Sequence, residues 1–296
     1  MSFALTIRSW QSAYLPEPPG IECAQPFWYA GAMRSAQIRL YDEGTAENLE
    51  IHQVAAYLIG VLNIEISVRT EFVSHFGCEA SAFAEALARC KVGNPYAPPA
   101  DEPLMRGEVE FERRRLAAGN RGPFGIIYDG FRLQASLGEL IPAEESRLGF
   151  AHIVFTNRLA ATWEPGDRYH LRAVVCGCPA LVSTSGLVEA AAKPKEFYLT
   201  LQALGQIAND DAAYRALKSQ FGRRFLDHDD PRLTEVAKGY ALQAAFYSLI
   251  GEGFCEEPSC RLFNAHRQEE MLFAQVESGR LCERHQQLAA AAARTW

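Results

Sequence analysis

Cys255-Glu-Glu-Pro-Ser-Cys260, followed after 21 intervening residues by Cys282-Glu-Arg-His285, is the most restrictive stretch of this chain. The two pairs, C-x4-C and C-x2-H, offer three thiolates and an imidazole, the donor set of a tetrahedral Cys3His zinc shell. Four protein ligands leave no open coordination position, so the expected role of such an ion is structural. It would tie the loop after one helix to the start of the last helix. Just upstream, Pro231 to Ile250 reads as a helix that is apolar nearly all round, the pattern of a buried core helix.

Working towards the N-terminus, Glu196 to Ala208 and Ala212 to Phe221 read as further helices. Before them lie three strand-like runs, His152 to Thr156, Tyr169 to Val175 and Ala180 to Thr184, separated by turns at Glu164-Pro-Gly166 and Gly177-Cys-Pro179. Ala36 to Tyr41, Ala46 to Val61 and Ile64 to Val68 alternate as strand, helix and strand. Ala80 to Ala88 and Glu108 to Ala118 read as helices, Phe124 to Tyr128 as a strand, and Asp129-Gly130 as a turn. The sum is an α/β or α+β fold with a mixed sheet and a helical last third. The expected organisation is an extended arm over residues 1–34, an α/β region over 35–149, and a region over 150–296 that holds the zinc module.

The composition, 48% hydrophobic and 22% charged over 296 residues, is that of an ordinary globular protein. A formal charge of -7 argues against a broad nucleic-acid surface. No secretory pattern opens the chain and no run of 18 apolar residues occurs, so a cytoplasmic location without membrane association is expected. There the eight cysteines would be thiols or metal ligands. Cys23, Cys78 and Cys90 read as small hydrophobic residues, and Arg113 to Arg115 as a solvated face paired with acidic residues of the same helix.

The tail resembles the archaemetzincins, zinc peptidases whose pattern runs HExxHxxGxxHC-x4-C-x-M before a second cysteine pair. Anchored on Cys255, Cys260 and Leu262, the comparison needs no gap back through the helix and sets Gly251 on the pattern's glycine. The two helical histidine positions are then Ala244 and Ser248, the glutamate is Ala245, and the third histidine is Phe254. The second pair departs too, being Cys-x2-His. The likeness runs from about Phe150 to His285, with an added helical insert near residues 197–230, and equates Leu181 to Thr184 with the zincin edge strand. Segments such as "HIVFTNRL" from His152 and "CRLFNAHRQEE" from Cys260 are similar to a prokaryotic family described as metallopeptidases.

This resemblance implies a zincin-like fold whose peptidase chemistry is missing, because hydrolysis by that route needs two imidazoles and a carboxylate on one helix face. The chain would then be a binding or scaffold protein for an unknown small molecule or protein, or a repurposed enzyme. Acid–base candidates around the altered cleft are Glu189, Lys193, Lys238, Tyr240 and Gln243. The alternative is a metal-dependent hydrolase or biosynthetic enzyme with ligands relocated to His152, His170, Cys176 and Cys178. His170 and Cys176 would share a face of one strand. His266 competes for the fourth ligand position, on a helix expected over Asn264 to Glu270.

Overall fold

A computed structural model describes residues 36–44, 46–100, 103–119, 125–205, 211–228 and 230–295. The expected arm over 1–34 and Cys23 lie outside the described residues. The chain runs β1 (Gln37–Asp42), α1 (Ile51–Leu62), β2 (Glu65–Arg69), α2 (Phe72–His75), α3 (Ala80–Cys90), α4 (Arg106–Ala117), β3 (Ile127–Asp129) and α5 (Gly130–Gly138). It continues through β4 (Phe150–Thr156), β5 (Leu159–Trp163), β6 (Tyr169–Arg172), β7 (Val174–Val175), β8 (Ala180–Ser183) and α6 (Thr184–Glu189). The last third comprises α7 (Lys195–Leu204), α8 (Asp211–Phe221), α9 (Leu233–Ile250), α10 (Gln268–Leu272), a π-helical turn (Phe273–Ser278) and α11 (Glu283–Thr295).

The larger sheet has the order β2-β1-β4-β8-β7, parallel except for the edge strand β7, which pairs antiparallel with β8. It therefore joins strands from both sides of residue 150. The strand period of two distributes the side chains between two cores. Ile38 and Leu40 of β1, Ala151, Ile153 and Phe155 of β4, and Ala180 and Val182 of β8 pack with α1, α9 and α11. Tyr41, Val154 and Leu181, from the other face, pack with α3 and α5. Fully buried parallel strands of this kind read as near-continuous apolar runs, which is why β4 and β8 are visible in the sequence.

A second sheet, β3-β5-β6, stands beside the first. Here the structure corrects the expectation of one strand over Tyr169 to Val175. The chain leaves the small sheet at Arg172 and enters the large one at Val174, so the run is two strands in two sheets. The edge strand is Val174–Val175, while Ala180–Ser183 has neighbours on both sides. Asp129 is also more than a turn residue. Its carboxylate accepts from the Phe131 and Arg132 amides at 3.0 and 3.1 Å and starts α5.

The helical region over 197–230 carries a small core of its own, centred on Phe197, Leu217 and Phe225. One buried side chain stitches it to the rest. Gln268 accepts from the Leu226 amide at 2.9 Å and donates to the Leu187 and Val188 carbonyls at 2.9 and 3.0 Å.

Candidate metal centre

α9 ends at Gly251, whose φ of 83° is the left-handed conformation that only glycine adopts without strain. The chain turns back there, and backbone pairing sets the ligand loop. The Cys255 amide donates to Leu262 O at 2.7 Å, the Asn264 amide to Cys255 O at 3.2 Å, and the Arg261 amide to Arg280 O at 2.8 Å. These bonds bring Cys255 and Cys260 against Cys282, at the mouth of α11, and His285 in its first turn.

All four donor atoms lie within 4.8 Å of one another. Cys255 Sγ is 3.9 Å from Cys282 Sγ, and His285 Nδ1 is 3.8 Å from Cys260 Sγ and 3.0 Å from Cys282 Sγ. Zinc bond lengths of about 2.3 Å to sulfur and about 2.0 Å to nitrogen give tetrahedron edges of about 3.8 Å and about 3.5 Å. The observed separations are of that size, so the residues fit the ion. Amides of Glu257, Leu262 and Cys282 point at the Cys255 and Cys260 sulfurs at 3.3 to 3.5 Å, which favours thiolates there. His285 is fully buried with its Nε2 unbonded and its ring edge-on to Phe246 of α9.

Without an ion this is an unfavourable arrangement. Burial pushes the Cys260 thiol up to about 12 and raises that of Cys255, and burial also holds His285 below the usual histidine value. A bound dication reverses the preference by stabilising thiolates and neutral imidazole. His266 does not compete. It is exposed, and the helix expected over Asn264 to Glu270 begins only at Gln268.

The positions that the resemblance equates with hydrolytic ligands look different. Ala244 and Ala245 are fully buried among apolar side chains of the core that α9 shares with the large sheet. Ser248 Oγ donates to Gly177 O at 3.5 Å, and Phe254 is 43% exposed. Alanine and phenylalanine offer no lone pair to a metal.

The other candidates are scattered. Lys238 pairs with Glu235 at 2.7 Å, Tyr240 is buried in the core, and Gln243 donates to Phe263 O at 3.1 Å. Glu189 and Lys193 pair with each other at 3.0 Å. These five side chains are not gathered into one cleft. Nor does the structure unite His152, His170, Cys176 and Cys178. His152 is fully buried in the large sheet, its nitrogens 2.9 Å from Tyr41 Oη and 3.1 Å from Glu145 O. His170 belongs to the small sheet and contacts Asp167 and Glu164 at 2.8 and 3.1 Å. Burial pushes the Cys176 thiol up to about 12, against nucleophilic use. With β6 and β7 in separate sheets, the shared face expected for His170 and Cys176 does not exist.

Sequence reasoning missed a half-open pocket of about 370 Å³ elsewhere, at the β4–β5 turn. Its lining residues are spread from Arg115 to Glu189, without a motif to connect them.

Residues 34–292 match the family described as "Probable metallopeptidase family (DUF6775)". None of the curated proteins matches the chain. Two solved structures resemble it at 12% identity. A zinc-dependent peptidase from Methanocorpusculum labreanum (strain Z) superposes with a TM-score of 0.41, covering 86% of this chain and 99% of the other. An archaemetzincin from Methanopyrus kandleri superposes with a TM-score of 0.42, covering 88% and 96%.

Proposed function

The chain belongs to the probable metallopeptidase family (DUF6775), and from that premise we propose that it has kept a structural zinc while losing the hydrolytic one. Cys255, Cys260, Cys282 and His285 hold the ion, and its chemistry is that of a staple. It fixes the 251–282 segment and the start of α11 against α9. The observation that carries this reading is the contrast along one segment. Four donors converge in the loop, whereas the aligned hydrolytic positions are Ala244, Ala245, Ser248 and Phe254. A zincin mechanism needs a metal-bound water and a carboxylate to take its proton. Neither the ligands nor the carboxylate has a counterpart at those positions. The chain then acts as a binding or scaffold protein for a small molecule or another protein, or as an enzyme of different chemistry. A reducing cytoplasm suits three thiolates. No helix among the described residues is long and apolar enough to cross a membrane.

Elemental analysis of the purified chain tests this. About one zinc per chain is expected, absent from the variant carrying Cys255→Ser and Cys260→Ser. Two metals per chain, one of them surviving that double change, would instead support the relocated-ligand enzyme. Chelator-sensitive cleavage of casein by the unaltered chain would refute the loss of peptidase chemistry.

A further inference from the structure

The pocket at the β4–β5 turn lies where two parallel strands end. β4 stops at Thr156 and passes through Asn157 and Arg158, while β8 stops at Ser183 and passes into α6. Crevices at the carboxyl ends of parallel strands are the usual place for ligands in open α/β sheets. None of Ala244, Ser248 and Phe254 lines this pocket, and neither does any of the four proposed zinc ligands. Its volume of about 370 Å³ falls within the range of small-molecule sites.

The turn is held firmly. Three consecutive hydroxyls from the end of β8 bond three consecutive carbonyls. Ser183 Oγ donates to Arg158 O at 2.6 Å, Ser185 Oγ to Asn157 O at 2.6 Å, and Thr184 Oγ1 to Thr156 O at 3.3 Å. Gly186 completes the fit, because a Cβ there would lie 2.2 Å from Arg172 O. A preorganised wall of this kind spares a ligand the cost of ordering it.

The chemistry of the lining is also specific. Arg158 is only 3% exposed, pairs with buried Glu43, and has the Phe83 ring 5.2 Å from its guanidinium carbon. Arg115 reaches the pocket from α4 and donates to Tyr128 Oη at 2.7 Å. Ile126, Leu159 and Leu171 supply an apolar side. Glu189 stands among the lining residues with Lys193 and His228 on its carboxylate oxygens, at 3.0 and 3.6 Å. The half-buried Arg115 guanidinium beside an apolar wall, with the buried Arg158–Glu43 pair behind it, suits a ligand with one planar anionic end and an apolar body. A second negative charge would meet Glu189.

We propose that this pocket binds a small organic monocarboxylate, with its carboxylate on Arg115 and its apolar part against Ile126, Leu159 and Leu171. Isothermal titration of the full chain with N-acetylphenylalanine and hexanoate tests it, with hexanamide and inorganic phosphate as comparators. Both carboxylates should bind with a Kd of about 1 mM or tighter, a modest affinity for ligands of this size. Hexanamide should bind at least about tenfold more weakly, since it cannot form a charge-assisted pair. Arg115→Met, at a half-buried position, should weaken both carboxylates about tenfold while the thermal midpoint stays within a few degrees. If that variant does not fold, Leu171→Glu places a carboxylate in the apolar wall and should abolish binding. Equal binding of hexanamide, binding of phosphate alone, unchanged affinity in a folded variant, or no heat at about 10 mM ligand would overturn the proposal.

Discussion

Ala244 on α9 and Cys255 in the loop beyond it belong to one continuous segment, yet they have been put to opposite uses. Around Cys255 the fold presents donor atoms to a shared point at the edge of the same apolar core, which Cys260 and Leu262 join. Around Ala244 it presents only apolar surface, and the helix is held by the core between the large sheet and α1. In the proposed reading, the two metal functions are physically separable along this segment. A staple needs the loop and α11, whereas hydrolysis needs one face of α9. Under that reading, losing the second leaves the helix in place, because burial keeps it there.

The largest effect should come from the loop. Cys260→Ser removes the most buried of the three sulfurs. In small zinc domains the ion supplies on the order of 10 kcal/mol of folding free energy, so a loss of several kcal/mol is expected here. Urea unfolding followed by tryptophan fluorescence should show it, and a chelator should reproduce it in the unaltered chain. A variant as stable as its parent, with or without chelator, would remove the staple from the comparison.

A second, smaller effect distinguishes the two fully buried histidines. His285 faces sulfur, whereas His152 lies between Tyr41 and the Glu145 carbonyl. Burial lowers the His152 pKa, so below about pH 6.5 the unfolded chain takes up a proton that the folded chain refuses. Stability is therefore fully present above pH 6.5 and falls as the pH drops, by up to about 1.4 kcal/mol per unit for this one group. His152→Asn should flatten that slope between about pH 6.5 and 5. His75 and His285 are shifted in the same direction and leave a residual slope. An unchanged profile would show that His152 carries no proton linkage.

The smallest effect should fall on the hydrolytic position. Ser248→Ala removes a single 3.5 Å hydrogen bond to Gly177 O and should change stability by less than about 1 kcal/mol. Zinc content should stay at its parental value. Zinc lost on this change would mean that α9 still ligates metal.

The sequence announces features whose residues lie close together and hides those assembled from a distance. The convergence of Cys255, Cys260, Cys282 and His285 is legible because close spacing within a loop and a helix turn is a local constraint. β4 and β8 are legible because burial on both faces leaves continuous apolar runs. Asp129-Gly130 reads as a turn because the same residue types cap helices and make turns, and only the 3.0 Å bond to the Phe131 amide decides between them. Arg115, Arg158 and Glu189 are brought to one pocket by three different elements, so no spacing rule could connect them. The division of Tyr169 to Val175 is hidden for another reason. Alternation fixes which face a residue occupies but says nothing about which strand it will pair with.

That division has a mechanical consequence. Ala173 is the only residue between Arg172 of the small sheet and Val174 of the large one, and its carbonyl is anchored by the Ser183 amide at 2.9 Å. A link one residue long has no slack. Displacement of the edge strand would therefore be transmitted along a taut backbone to Leu171 and the pocket it lines.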